Sequence, residues 1–91
     1  MIKSELIKEC RRIRDKYENG VYLSNEDQNW LIENVFKFHP DWQWWYSQEI
    51  THFSVNHDGY KSRCFYVHFN KPEKYKSANI SWNKAIRNIK L

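Results

Sequence analysis

The chain has 91 residues, 18% of them aromatic, and a formal net charge of +4. That length fits a single domain, residues 1–91, with a modest core, and two glycines leave no Gly-rich nucleotide cradle. No run approaches the ~20 apolar residues that span a bilayer, and charges recur from Lys3 onward, against a signal peptide; the expectation is a cytoplasmic protein of a bacterial cell, with the Asn-, Lys- and Ile-rich composition also fitting a phage-encoded one.

Ile2, Leu6, Cys10, Ile13 and Tyr17 recur at three- and four-residue steps, which predicts an amphipathic first helix. Asn19-Gly20 follows as its expected left-handed stop. The second helix is predicted to start at "SNED". There Ser24 can accept a hydrogen bond from the amide of Asp27, while Glu26 and Asp27 sit at the positive end of the helix dipole. Leu31, Val35 and Phe38 are expected to face the core, with Trp30 or Ile32 at its edge. Pro40 should end the helix, because the residue before a proline avoids the helical region.

The stretch "WQWWYS" holds Trp42, Trp44, Trp45 and Tyr46. If it is extended, Trp42, Trp44 and Tyr46 share one side and Trp45 points opposite. Most of these rings are expected in the core and Trp45 on the surface. An exposed indole can stack on an unpaired base or anchor a protein interface.

Two strands follow, with Thr51, Phe53 and Val55 alternating on one and Phe65, Val67 and Phe69 on the other. A two-residue turn at Asp58-Gly59 would pair Phe53 with Cys64 and throw one apolar row to the wrong side. A loop of three to five residues pairing Phe53 with Phe65 or Val67 keeps both rows inward. A short third strand is expected over Lys76 to Ile80, then a helix capped by Ser81. Trp82, Ala85, Ile86 and Ile89 form its apolar face, and Lys84, Arg87 and Lys90 its other side. The predicted fold is α+β: helix, helix, strand, strand, strand, helix, with an antiparallel sheet covered by helices on one face.

No local signature frames Cys10 or Cys64 as a nucleophile, and both read as packed thiols in a reducing compartment. His52, His68 and Cys64 can share the outer face of the strand pair, but no Cys-x-x-Cys or His-x-x-x-His spacing supports zinc. Glu26, Asp27 and Glu33 are accounted for by capping and solvation. Neither a catalytic residue, a metal nor a cofactor is expected.

Charge is unevenly placed. Residues 21–49 carry five acidic side chains and one basic, whereas residues 71–91 carry six basic and one acidic. If the sheet edge and last helix adjoin, Arg63, Lys71, Lys74, Lys76, Lys84, Arg87 and Lys90 form one patch able to grip phosphates. The leading reading is therefore a non-enzymatic module for nucleic acid, RNA or single-stranded, using Arg63, Lys74, Lys76, Lys84 and Arg87 for phosphates and Trp45 for stacking. The alternative is a phage-type effector or inhibitor that docks on a host enzyme through Trp42, Trp44, Trp45 and Tyr46. The oligomeric state is left open.

Four pieces in order, "YENGVYLSNEDQNWL", "HP" at His39-Pro40, "SRCFYV" and "ISWNKAI", resemble the DCL-like domain over roughly residues 14–88. That family takes its name from the plant "defective chloroplasts and leaves" protein. It also occurs on plant-specific RNA polymerase largest subunits and in small bacterial and phage proteins. This chain has "WQWWYSQE" where the family usually has a lysine and glycines after His-Pro, and "NKPEKYKSAN" where it usually turns through Asp-Gly. The resemblance implies a link to RNA metabolism and no catalytic residue.

Overall fold

The computed structural model describes residues 2–59 and 62–90. The first apolar stripe forms helix α1 (Lys3–Asp15), which buries Leu6, Cys10 and Ile13. Gly20 is not its stop. The helix ends at Asp15, and Gly20 takes φ 84° in a turn closed by the Val21 amide donating to the Glu18 carbonyl. Only glycine adopts that angle at the third position of such a turn without strain. The turn aims Val21–Leu23 along the sheet, where the Gly20 and Leu23 amides donate to the carbonyls of Val55 and Phe53.

Helix α2 (Asn25–Asn34) starts as its sequence predicts, with the Ser24 hydroxyl accepting from the Asp27 amide at 3.2 Å. The Asp27 carboxylate ties the two helices together. Lys16 Nζ lies 2.7 Å from its Oδ2, the Tyr17 hydroxyl donates to the same oxygen at 2.6 Å, and that hydroxyl accepts from the Ser24 amide at 2.9 Å. Burial pushes the Asp27 carboxyl up, but the Lys16 and Tyr17 hydrogen bonds outweigh it and hold the group below the usual carboxylate range.

Val35 leaves helical geometry at φ −137°, and a 3-10 turn over Phe36–Phe38 follows. The change from 3.6 to 3.0 residues per turn rotates the side chains. Phe36, rather than the expected Phe38, is fully buried, with its ring centroid 5.2 Å from Phe53 and 5.5 Å from Phe65; Phe38 is half-buried. The tryptophan segment is not extended. It forms a short helix, α3 (Trp42–Ser47).

The sheet comprises β1 (Ile50–His57), β2 (Arg63–Phe69) and β3 (Ser77–Ile80), antiparallel in the order β1-β2-β3. Phe53 pairs with Val67 and Val55 with Phe65, so the hairpin turns through residues 58–62 and both apolar rows face inward. Tyr60 and Lys61 of that loop lie outside the described residues. The expected inward Thr51 is exposed. The register slips between Ile50 and His52, a bulge that turns Ile50 toward the core in its place. Helix α4 (Trp82–Arg87) is capped by Ser81, and Ala85, Ile86 and Ile89 are buried. The result is a small α+β domain with helices over one face of a three-stranded antiparallel sheet.

Candidate nucleic-acid interface

Strand alternation sends Phe53, Val55, Phe65 and Val67 inward, so the intervening residues face the side that the helices leave open. The pairs there are His52 with His68, Ser54 with Tyr66 and Asn56 with Cys64, continued on β3 by Ser77 beside His68 and Asn79 beside Tyr66. Tyr22 adds a fourth column, bridged to Ser54. The face is therefore built of rings and uncharged polar groups.

Three rings form a pile. The Tyr22 ring centroid is 3.8 Å from that of His52, and the His52 and His68 rings lie 4.1 Å apart and 11° from parallel. Tyr22 is 62% exposed and forms the outer end. The bulge assists this arrangement: the extra residue, Thr51, brings its hydroxyl within 2.8 Å of His52 Nδ1 and within 3.3 Å of the His68 carbonyl. Ser54 Oγ and His68 Nε2 are 2.7 Å apart. His52 Nε2 is buried without a hydrogen-bond partner, the one such side-chain atom among the described residues. A neutral imidazole always has one nitrogen that donates and one that accepts, so an unmet bonding capacity sits inside the pile.

Burial lowers the pKa of His52, and burial together with the neighbouring His52 lowers that of His68. Both are favoured as neutral rings, which stack without mutual repulsion. A histidine whose pKa is depressed by folding binds fewer protons than in the unfolded chain. Its stability contribution is complete above the unfolded value near 6.5 and is lost as pH falls below it. The urea midpoint is accordingly expected to drop between pH 7.5 and pH 5. His68→Gln, which keeps a partner for Ser54, should flatten that drop; an equally steep loss in the variant would remove the pile as its cause.

The Ser54–His68 contact has the reach of a nucleophile and base, but Ser54 is only 3% exposed. The thiols are no better placed for chemistry: burial pushes Cys10 up to about 12 and also raises Cys64. Both cysteines are free. Among the described residues no three His, Cys, Asp or Glu side chains come together as metal ligands.

The basic residues predicted as one patch are divided. Arg63 opens β2, where its Nε donates to Asn19 Oδ1 at 2.9 Å and its guanidinium also donates to the Tyr17 carbonyl. Lys74 and Lys76 lie in the loop beyond the other end of β2, about 20 Å away along a seven-residue strand. Lys84 and Arg87 are exposed on α4, within the helical layer. The charge count along the chain could not reveal that a strand separates its members.

Trp45, the expected exposed indole, is buried at 3% exposure with its ring 4.4 Å from that of His39. Helical geometry places residues 100° apart instead of alternating them, which reverses the prediction. Trp42 is half-buried, Trp44 is 44% exposed with its Nε1 donating to Glu73 Oε2 at 2.7 Å, and Tyr46 is 67% exposed. Tyr22 and Tyr66 went unrecognised in the sequence as ring contributors. The signal for Tyr66 was present in the run Cys64, Tyr66, His68, which alternates with the apolar row.

Residues 11–86 match the family model described as "Protein of unknown function (DUF3223)", and the chain belongs to that family. It is similar in fold to the solution NMR structure of an uncharacterized protein from Rhodospirillum rubrum, with a TM-score of 0.77 and 21% identity; the match covers 92% of this chain and 77% of that one. No curated protein matches the chain. Among the described residues no helix is long and apolar enough to cross a membrane.

Proposed function

We propose that this DUF3223 domain is a non-enzymatic module of the bacterial cytoplasm that holds single-stranded nucleic acid, RNA by preference, on the outer face of its sheet. The observation that carries this reading is the pile of Tyr22, His52 and His68 on a face without a helical cover. Unpaired bases present flat π-surfaces, and an open antiparallel sheet bearing rings offers them stacking partners at strand spacing. Asn56 and Asn79, exposed on the same face, supply neutral groups for base edges. Lys74 and Lys76 at one end of β2 supply cations for phosphates. The resemblance to the DCL-like domain, with its link to RNA metabolism, favours RNA over DNA.

The roles foreseen for the basic residues and for Trp45 change accordingly. Lys74 and Lys76 remain beside the proposed face, Lys84 and Arg87 contribute long-range attraction, and Trp45 supports the fold. The test is a fluorescence anisotropy titration with labelled single- and double-stranded RNA and DNA at low and high salt. Single strands should bind tighter than duplexes, with affinity falling steeply as salt rises. No binding at low salt, or equal binding of duplex, would reject the reading.

A further inference from the structure

We infer that the cavity between α2, α3 and β1 is a second binding site, which takes a cationic side chain from a basic segment of a partner protein. The cavity holds about 430 Å³ and is lined by Ile32, Trp42, Tyr46 and Phe53, with Gln28 and Glu49 as its polar members. The Trp42 and Phe53 rings lie 6° from parallel at 6.5 Å, and Tyr46 flanks Trp42 at 6.3 Å. Aromatic walls with a carboxylate suit an alkyl stem carrying a positive charge, whose head is attracted both by ring faces and by the acid.

Glu49 supplies the second argument. It sits just past the end of α3 at φ 58°, the only non-glycine residue with positive φ among those described. Its amide donates to the Tyr46 carbonyl, the position a glycine usually fills. A non-glycine side chain at a strained position points to a use for that side chain. The carboxylate is held in place by Asn70 Nδ2 at 3.0 Å and Lys71 Nζ at 3.1 Å. These two partners also hold its pKa below the usual carboxylate range, so it is charged at neutral pH. The Lys71 pair is open to solvent on both sides; such a pair contributes little and can be exchanged for an incoming cation.

The surroundings select the occupant. Of the five acids in residues 21–49, Asp27 and Glu33 are paired with Lys16 and Lys37 away from the cavity lining, and Glu49 is the one ionised group that lines the cavity, its Lys71 partner exposed and exchangeable. A nucleic-acid strand would be repelled there, whereas a basic peptide would be drawn in. The two sites thus differ in charge: rings with flanking lysines on the sheet, rings with a single carboxylate in the cavity.

The test uses a capped peptide of three arginines separated by glycines and the same peptide with citrulline, which keeps the shape and removes the charge. Followed by NMR, the arginine peptide should shift the Trp42 indole and Tyr46 ring signals saturably, and the citrulline peptide should bind at least tenfold more weakly. Glu49→Gln should cost about as much as the loss of charge on the peptide. Glu49→Gly, which suits the backbone at this angle, should keep the circular dichroism of the wild type and lose the peptide. Equal binding of both peptides, or wild-type affinity in either Glu49 variant, would overturn the inference. None of these outcomes bears on binding at the sheet face.

Discussion

Trp45→Ala is expected to destabilise the domain by about 3–5 kcal/mol, the usual cost of deleting a buried large aromatic side chain. Domains in general have only about 5–15 kcal/mol in hand, and small ones sit toward the low end, so a sizeable unfolded fraction should appear even without denaturant. Trp45 is the tryptophan of α3 that points into the core and closes over His39. The neighbouring Trp44→Ala removes an exposed ring and one hydrogen bond to Glu73 and should cost only about 1 kcal/mol. Urea unfolding followed by circular dichroism reads both. The comparison matters for function, because nucleic-acid binding by Trp45→Ala should fall only in proportion to the unfolded fraction. A stable Trp45→Ala protein with weakened binding would return the indole to the surface.

Tyr22→Ala is expected to weaken single-stranded RNA binding by about 5- to 150-fold, the worth of one base stacked on one ring. Tyr22 forms the exposed end of the pile and spans only a bridge beside β1, so its removal should leave the core intact. Tyr22→Phe keeps the ring and should keep most of the affinity. Lys84→Ala and Arg87→Ala should act differently, lowering affinity for all sequences alike and making the salt dependence slightly shallower. If Tyr22→Ala binds like wild type while the two α4 substitutions abolish binding, the interface belongs to the helical layer.

The elements with a clean period were readable from sequence. Leu6, Cys10 and Ile13 of the α1 stripe, the Ser24 and Ser81 caps and the hairpin register follow from apolar spacing and cap chemistry, and each stands in the structure, whereas Ile2 is exposed at the N-cap and Tyr17 lies past the helix end. The rejection of a two-residue turn at Asp58-Gly59 also holds, because only the longer loop keeps two apolar rows on one side. What was misread lies where a period breaks. In residues 42–46 nearly every side chain is aromatic, so no alternation distinguishes helix from strand, and the extended reading puts Trp45 on the surface where the helix buries it. Phe36 displaced Phe38 because a 3-10 turn changed the phase, and Thr51 yielded to Ile50 because a bulge added one residue. The sheet's outer face was half legible: His52, His68 and Cys64 were placed together by strand parity, but Tyr22 comes from a segment some thirty residues earlier in the chain.

The aromatic residues serve three ends: Phe36, Phe53, Phe65 and Trp45 close the core, Trp42 and Tyr46 wall an acidic-mouthed cavity, and Tyr22 with Tyr66 and the two histidines occupies the open sheet. Opposite charge environments around the last two sets keep their proposed partners apart.

The most direct measurement is an NMR titration of isotope-labelled protein with a uridine-rich single-stranded RNA at low salt, following the ring signals of Tyr22, His52, Tyr66 and His68 alongside the amides of α4. Those four rings should shift first and saturate together, with α4 nearly unchanged. Shifts confined to α4 or to Trp42–Ser47, with the sheet rings unmoved at saturation, would contradict the assignment of the open face.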